Sequence, residues 1–201
     1  SYTRSTLPHT SLPHYFIDTV QVPRETTRFM ALVSSIAPRA ACEIGTARGG
    51  TLYLLTRVCR DDAIIVSIDL PGGQFGGGYP LSSVPFYQSF ERQSQHVHLI
   101  RRDSHSRSTL ERVKQLLGPL ALDVLFIDGD HTYEGAKTDF LMYKPLVRNG
   151  GLIALHDIVP HPSHADVKVD IFWKELKRQF ATREIVADWK QGWAGIGVVF
   201  T

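Results

Sequence analysis

Short β-branched runs alternate with longer amphipathic stretches along the chain, the pattern of βαβ units about a mainly parallel sheet. The spacing predicts strands over 40–46, 63–69, 97–103, 122–128 and 151–157, several of them apolar on both faces, as when helices cover a sheet from either side. Helices are predicted near 23–36, 49–59, 82–94, 106–117 and 133–146. A further helix over about 165–180 puts Val169, Phe172, Trp173, Leu176 and Phe180 on one stripe, which reads as core. The closing runs "TREIVADW" and "WAGIGVVF" are separated by the polar "KQG" and predict a hairpin that adds one antiparallel strand. The expected fold class is therefore α/β, three layers around a mostly parallel seven-stranded sheet. An arm over residues 1–22 is expected to precede a single domain spanning 23–201.

Composition narrows the partners. The 201 residues are 43% hydrophobic and 21% charged, with a net charge of +2, so no broad basic face for nucleic acid is implied. No apolar run reaches the roughly 18 residues of a membrane span. Cys42 and Cys59 form no C-x-x-C pair, and no basic-then-apolar leader opens the chain, so a cytoplasmic location is expected. A start without Met suggests a removed or trimmed segment.

Chemistry gathers at the carboxyl ends of the predicted strands. In "CEIGTARGGT" a strand ends at Gly45 and Gly49-Gly50 open a helix, which lets backbone approach a ligand; a plain strand-to-helix turn would need the same glycines. The spacing lacks the G-x-G-x-x-G of dinucleotide binders. Asp69 ends the next strand, placed to accept from ribose hydroxyls. Asp103 and Ser104 end another, as adenine contacts or as caps of the following helix. "LFIDGDHTYEG" then runs from a buried strand straight into Asp128, Asp130, His131 and Glu134. Of these, Asp130 and Glu134 read first as caps and dipole partners, as does His131, which is also a candidate base.

"EIGTARGGT", "SIDL", "RRDSH", "FIDGDHTYEGAKTDF" and "GGLIALHDI" resemble, in order and spacing, class I S-adenosylmethionine-dependent O-methyltransferases. The likeness is to the small bacterial group related to catechol-type and macrolide-sugar O-methyltransferases and cephalosporin-hydroxylase-like proteins, and it covers about residues 40–160. The resemblance implies a Rossmann-like fold in which Glu43, Gly45, Thr46, Gly49 and Gly50 meet the methionine part of S-adenosylmethionine. Asp69 would take the ribose, Asp103 and Ser104 the adenine, and Asp128 would also border the cofactor.

Strand-end Asp128 and Asp157 should converge on one cleft, where two carboxylates repel unless a proton or a cation joins them. A divalent cation is the economical solution, and oxygen donors suit Mg²⁺. His156 departs from the acidic neighbour of the similar enzymes. It is either a third ligand, which would favour Mn²⁺, Fe²⁺ or Zn²⁺, or a general base alongside Asp128 and His131. His161 and His164 flank prolines in an expected surface loop and are set apart from the metal. The glycine-rich "PGGQFGGGYPLSSVPFYQ" is expected to form a lid carrying Phe75, Tyr79, Phe86 and Tyr87.

The resemblance thus implies metal-assisted methylation of a small hydroxylated acceptor, a sugar, phenol or secondary metabolite, with homodimerisation plausible through the arm or outer helices. The rivals are a nicotinamide oxidoreductase, a metal-dependent hydroxylase-like protein and a non-catalytic cofactor-binding subunit.

Overall fold

The computed structural model describes residues 21–75 and 78–201. The arm expected over 1–22 therefore lies outside the described residues except for Gln21 and Val22. Seven strands form one sheet: β1 (Ala40–Ile44), β2 (Ile64–Ile68), β3 (His96–Ile100), β4 (Leu122–Ile127), β5 (Val147–His156), β6 (Ala181–Ile185) and β7 (Ile196–Phe200), in the order β3-β2-β1-β4-β5-β7-β6. All pairs are parallel except those of β7, which runs antiparallel to both β5 and β6. The strand order reverses between β1 and β4, the place where open α/β sheets hold their ligands.

Alternation along the strands divides the core in two. Ala40, Cys42 and Ile44 of β1, with Leu125, Ile127, Ile153 and Leu155, face a layer containing α4 (Arg107–Leu117), α5 (Tyr133–Tyr143) and α6 (Val169–Leu176). Ala41, Ile65, Val124, Phe126 and Ala154 face α1 (Pro23–Ser35), α2 (Gly50–Val58) and α3 (Val84–Gln88). Each fully buried Leu, Ile or Phe here contributes roughly 1.5–3 kcal/mol of hydrophobic stabilisation. The stripe predicted on the last helix is the buried face of α6, from Val169 to Leu176, with Phe180 packed against the same cluster.

Three of the departures from the expected boundaries have a tertiary reason. The helix expected over 82–94 reduces to a 3-10 turn at Leu81–Ser83 and the short α3, because the chain beyond is stitched to α2: Gln95 Nε2 donates to Thr56 O and Arg60 O, both at 2.9 Å. Helix α6 starts only at Val169, since the Lys168 amide is held by His131 O at 2.8 Å. The hairpin exists, but 186–195 connects its strands in place of the three-residue "KQG" turn. The buried Glu25 of α1 gathers that connection, with Oε1 accepting from Ala187 N (2.7 Å) and Gln191 Nε2 (2.9 Å) and Oε2 from Gly195 N (3.0 Å).

Candidate active site

The carboxyl ends of β1, β2 and β4 border a cleft of about 260 Å³ that includes Gly45, Asp69, Asp103, Ser104 and Asp128. Asp69 Oδ2 accepts from Thr46 N (3.2 Å) and Ala47 N (2.8 Å), so this carboxylate shapes the glycine turn as well as facing the cleft. Burial raises its pKa, against those backbone bonds. Asp103 is not the cap of α4; its Oδ1 accepts from His105 N at 2.8 Å in a local turn before the helix. Thr132, not its acidic neighbours, caps α5 by accepting from Gly135 N at 2.9 Å, while Asp130 holds Thr132 N.

Gly45 and Gly49 both have positive φ, +95° and +76°. At Gly45 the crowding comes from within the protein: Asp128 N donates to Ile44 O at 2.8 Å, and a Cβ on Gly45 would lie 2.0 Å from Asp128 O. A Cβ on Gly49 would meet the Tyr87 ring at 2.8 Å, and Gly50 begins α2. Gly45 lets the first turn nest against the end of β4 at Asp128, and Gly49 lets it nest against Tyr87.

Glu43 is wholly buried beneath the cleft. Ser67 Oγ donates to its Oε2 at 2.7 Å and Thr46 Oγ1 lies 2.5 Å from the same serine, while Glu43 Oε1 has no partner. Burial pushes its pKa up to about 8, with Asp69 and Asp128 adding to the rise and Ser67 opposing it. The folded state therefore keeps a proton that the unfolded chain releases near 4.5. The contribution to stability is fully present below 4.5 and is lost as pH rises to 8, by about 1.4 kcal/mol per unit. Urea unfolding at pH 5 and 7.5 should show this slope, and Glu43→Gln should flatten it by an amount close to that figure.

Beside the cleft opens a cavity of about 800 Å³ walled by Phe75, Tyr79, Phe86, Tyr87 and Trp193. The aromatics expected of a lid thus form its wall, and Phe75 stacks on His131 with centroids 4.9 Å apart. At the cavity floor the two strand-end aspartates meet. Asp128 Oδ1 lies 3.1 Å from His156 Nδ1 and 3.7 Å from His131 Nε2. Asp157 Oδ1 lies 3.2 Å from His156 Nδ1 and 2.9 Å from His161 Nε2, while its Oδ2 lies 2.5 Å from His131 Nδ1. Asp157 has φ +62°, a left-handed turn directly after β5 that aspartate tolerates better than most residues. Ala194 N donates to its Oδ1 at 3.1 Å.

The histidines differ in setting. His131 retains 21% side-chain exposure, whereas His156 has 4% and forms no hydrogen bond through either nitrogen, its contacts with the carboxylates being poorly angled. Burial opposes charge on both rings, but the neighbouring aspartates outweigh it, so both pKa values are raised. Asp157 is driven well below the usual carboxylate range: burial opposes this, and His156, His131 and His161 outweigh it.

His161 is a correction. It was expected in a surface loop, but the backbone bonds of Ile158 and Val159 to Gly195 and Ala194 fold its segment inward, leaving the side chain 8% exposed on Asp157. Gln21 and Trp193 were missed. Gln21 Nε2 donates to Asp128 Oδ2 at 2.8 Å while its Oε1 accepts from Thr51 Oγ1 at 2.9 Å, across 107 residues of chain that no local pattern spans.

A sheet of this order, with a cleft at the strand reversal, defines an open α/β protein of the doubly wound kind. The family described as a methyltransferase domain matches residues 42–158, and the chain belongs to that family. It is similar to the uncharacterised protein R132 of Acanthamoeba polyphaga mimivirus, with 30% identity over 115 residues, 57% of this chain. That match spans about half of the curated relative's length, 49%. Similar solved folds include the O-methyltransferase TomG of Streptomyces achromogenes, involved in tomaymycin synthesis and bound to SAM, with 19% identity, TM-score 0.64 and coverage of 94% of this chain and 84% of that one. An O-methyltransferase of Bacillus cereus in complex with SAH is 17% identical at TM-score 0.67, with the same two coverages. Among the described residues no helix is long and apolar enough to cross a membrane.

Proposed function

We propose that this methyltransferase moves the methyl group of S-adenosylmethionine to a hydroxyl of a small molecule, with a divalent cation at Asp128 and Asp157 and with His131 as base. The observation that carries the reading is the meeting of two strand-end carboxylates with His131 on the floor of an aromatic-walled cavity. Cleft and cavity share Ala47, Phe75, Gly78 and Asp128, so a donor in one would face an acceptor in the other.

The acceptor oxygen supplies the electron pair of the new O–C bond while the C–S pair leaves with sulfur, giving S-adenosylhomocysteine. Charge is neutralised in this step, so alignment is the larger task. Asp157 at His131 Nδ1 fixes that nitrogen as the protonated one and leaves Nε2 to take the acceptor's proton. The donors suit a divalent cation: Asp128, Asp157 and His156, the last buried with both nitrogens unbonded. When bound, the cation supplies positive charge that makes an acceptor hydroxyl more acidic.

Calorimetry with S-adenosylhomocysteine, followed by a screen of hydroxylated acceptors with labelled methyl donor, tests the reading. Asp69→Ala should weaken S-adenosylhomocysteine by roughly 10–100-fold, since it removes a charged acceptor worth about 1.5–3 kcal/mol and the two amide bonds that shape the turn. Binding of a nicotinamide dinucleotide in preference to S-adenosylhomocysteine would sink the reading.

A further inference from the structure

The geometry points to a site that takes a borderline transition ion of the Fe²⁺, Co²⁺ or Zn²⁺ type in preference to Mg²⁺, with His156 Nδ1 as the third protein donor beside Asp128 and Asp157. This rests on the cation reading above and names the ion class and the nitrogen ligand. His156 Nδ1 stands 3.1 Å from Asp128 Oδ1 and 3.2 Å from Asp157 Oδ1. Donors bound to one ion at about 2.0–2.1 Å are separated by roughly 3 Å when they sit at right angles, so these spacings fit edges of a single coordination shell.

Three independent observations support a nitrogen donor here. First, His156 is 96% buried with Nδ1 set against both carboxylates, while Nε2 has no partner and neither nitrogen meets hydrogen-bond geometry. Second, a small pocket of about 10 Å³, near the least volume that one water needs, is bordered by Asp128, His131, His156 and Asp157. Third, the residue after Asp157 is Ile158, 2% exposed and packed in the apolar core, so the chain offers no oxygen ligand at that neighbouring position. The protein donors are thus two oxygens and one imidazole nitrogen. Mg²⁺ prefers oxygen throughout, whereas imidazole suits the later first-row ions. His131 keeps its bond to Asp157 and remains the base, with Asp128 Oδ1 3.7 Å from its Nε2.

The test uses the metal-stripped full chain and needs no turnover. Titration with Co²⁺, Zn²⁺ and Mg²⁺ should give one site at which the transition ions bind tighter than Mg²⁺ by roughly tenfold or more. Electron spin-echo spectra of the Mn²⁺-loaded protein should show ¹⁴N coupling in wild type and in His131→Ala, and none in His156→Asn, whose fold is checked by circular dichroism. The wild-type spectrum decides the matter alone should that variant fail to fold. Mg²⁺ binding as tightly, with no ¹⁴N coupling, overturns the nitrogen ligand and leaves the carboxylate-held cation standing. Loss of the coupling in His131→Ala overturns the assignment to His156. Absence of any bound ion, with both His156 nitrogens protonated by ¹⁵N NMR, overturns the inference and the cation reading together. Methyl transfer in chelator would then show that the rest of the proposed function survives.

Discussion

Replacing Asp128 with asparagine is expected to slow methyl transfer by about 10²–10⁴-fold, the range for losing a group that handles charge and proton in the transition state. The side chain divides its two oxygens between separate tasks. Oδ2 is held by Gln21, while Oδ1 faces His156 and His131. Asparagine keeps the shape and can keep one of these contacts, but it removes the negative charge that a cation would require. The loss should therefore appear in the single-turnover rate with labelled donor far more than in affinity for S-adenosylhomocysteine. A rate within tenfold of wild type, with the cofactor saturating, would remove Asp128 from the chemistry.

The second large effect concerns stability. Gly45→Ala is expected to cost more than about 4 kcal/mol, or to prevent folding, because its methyl would sit 2.0 Å from Asp128 O and 2.5 Å from Asp128 C. Neither neighbour is a flexible side-chain tip; both belong to backbone fixed by the pairing of β1 with β4. Gly118 supplies the control. It too has positive φ, +57°, with ψ −120°, and a Cβ there meets nothing within 4 Å, so Gly118→Ala should cost backbone strain alone, about 1–3 kcal/mol. Equal losses in urea titrations of the two variants would show that conformation alone, and not the approach of Asp128, requires glycine at position 45.

The five parallel strands were legible because each centres on a short β-branched or apolar run, and β1, β2 and β4 are buried along nearly their whole length. Helices α1, α2 and α4 were legible from their periodic apolar faces. The short α3 and the late start of α6 were not, since distant backbone partners, Thr56, Arg60 and His131, decide those boundaries. The same division runs through the site. Asp69, Asp128 and Asp157 could be placed because a strand end is a position that sequence periodicity marks. Gln21, His161 and Trp193 carry no such mark; they arrive through the first turn before α1, the loop after β5 and the long β6–β7 connection. Asp139 shows the remaining limit. It lies wholly buried on α5 with neither oxygen hydrogen-bonded, 3.4 Å from His105 Nε2, a pairing that helical spacing alone does not reveal.

The clasp that Gln21 makes between Thr51 and Asp128 ties the segment ahead of α1 to the proposed site. A fusion partner or an affinity tag joined just ahead of Gln21 would tug on an amide whose other hand rests on Asp128, and a cut ahead of Pro23 would remove it. Preparations differing only in where their leading segment was trimmed should then differ in turnover while melting at nearly the same temperature.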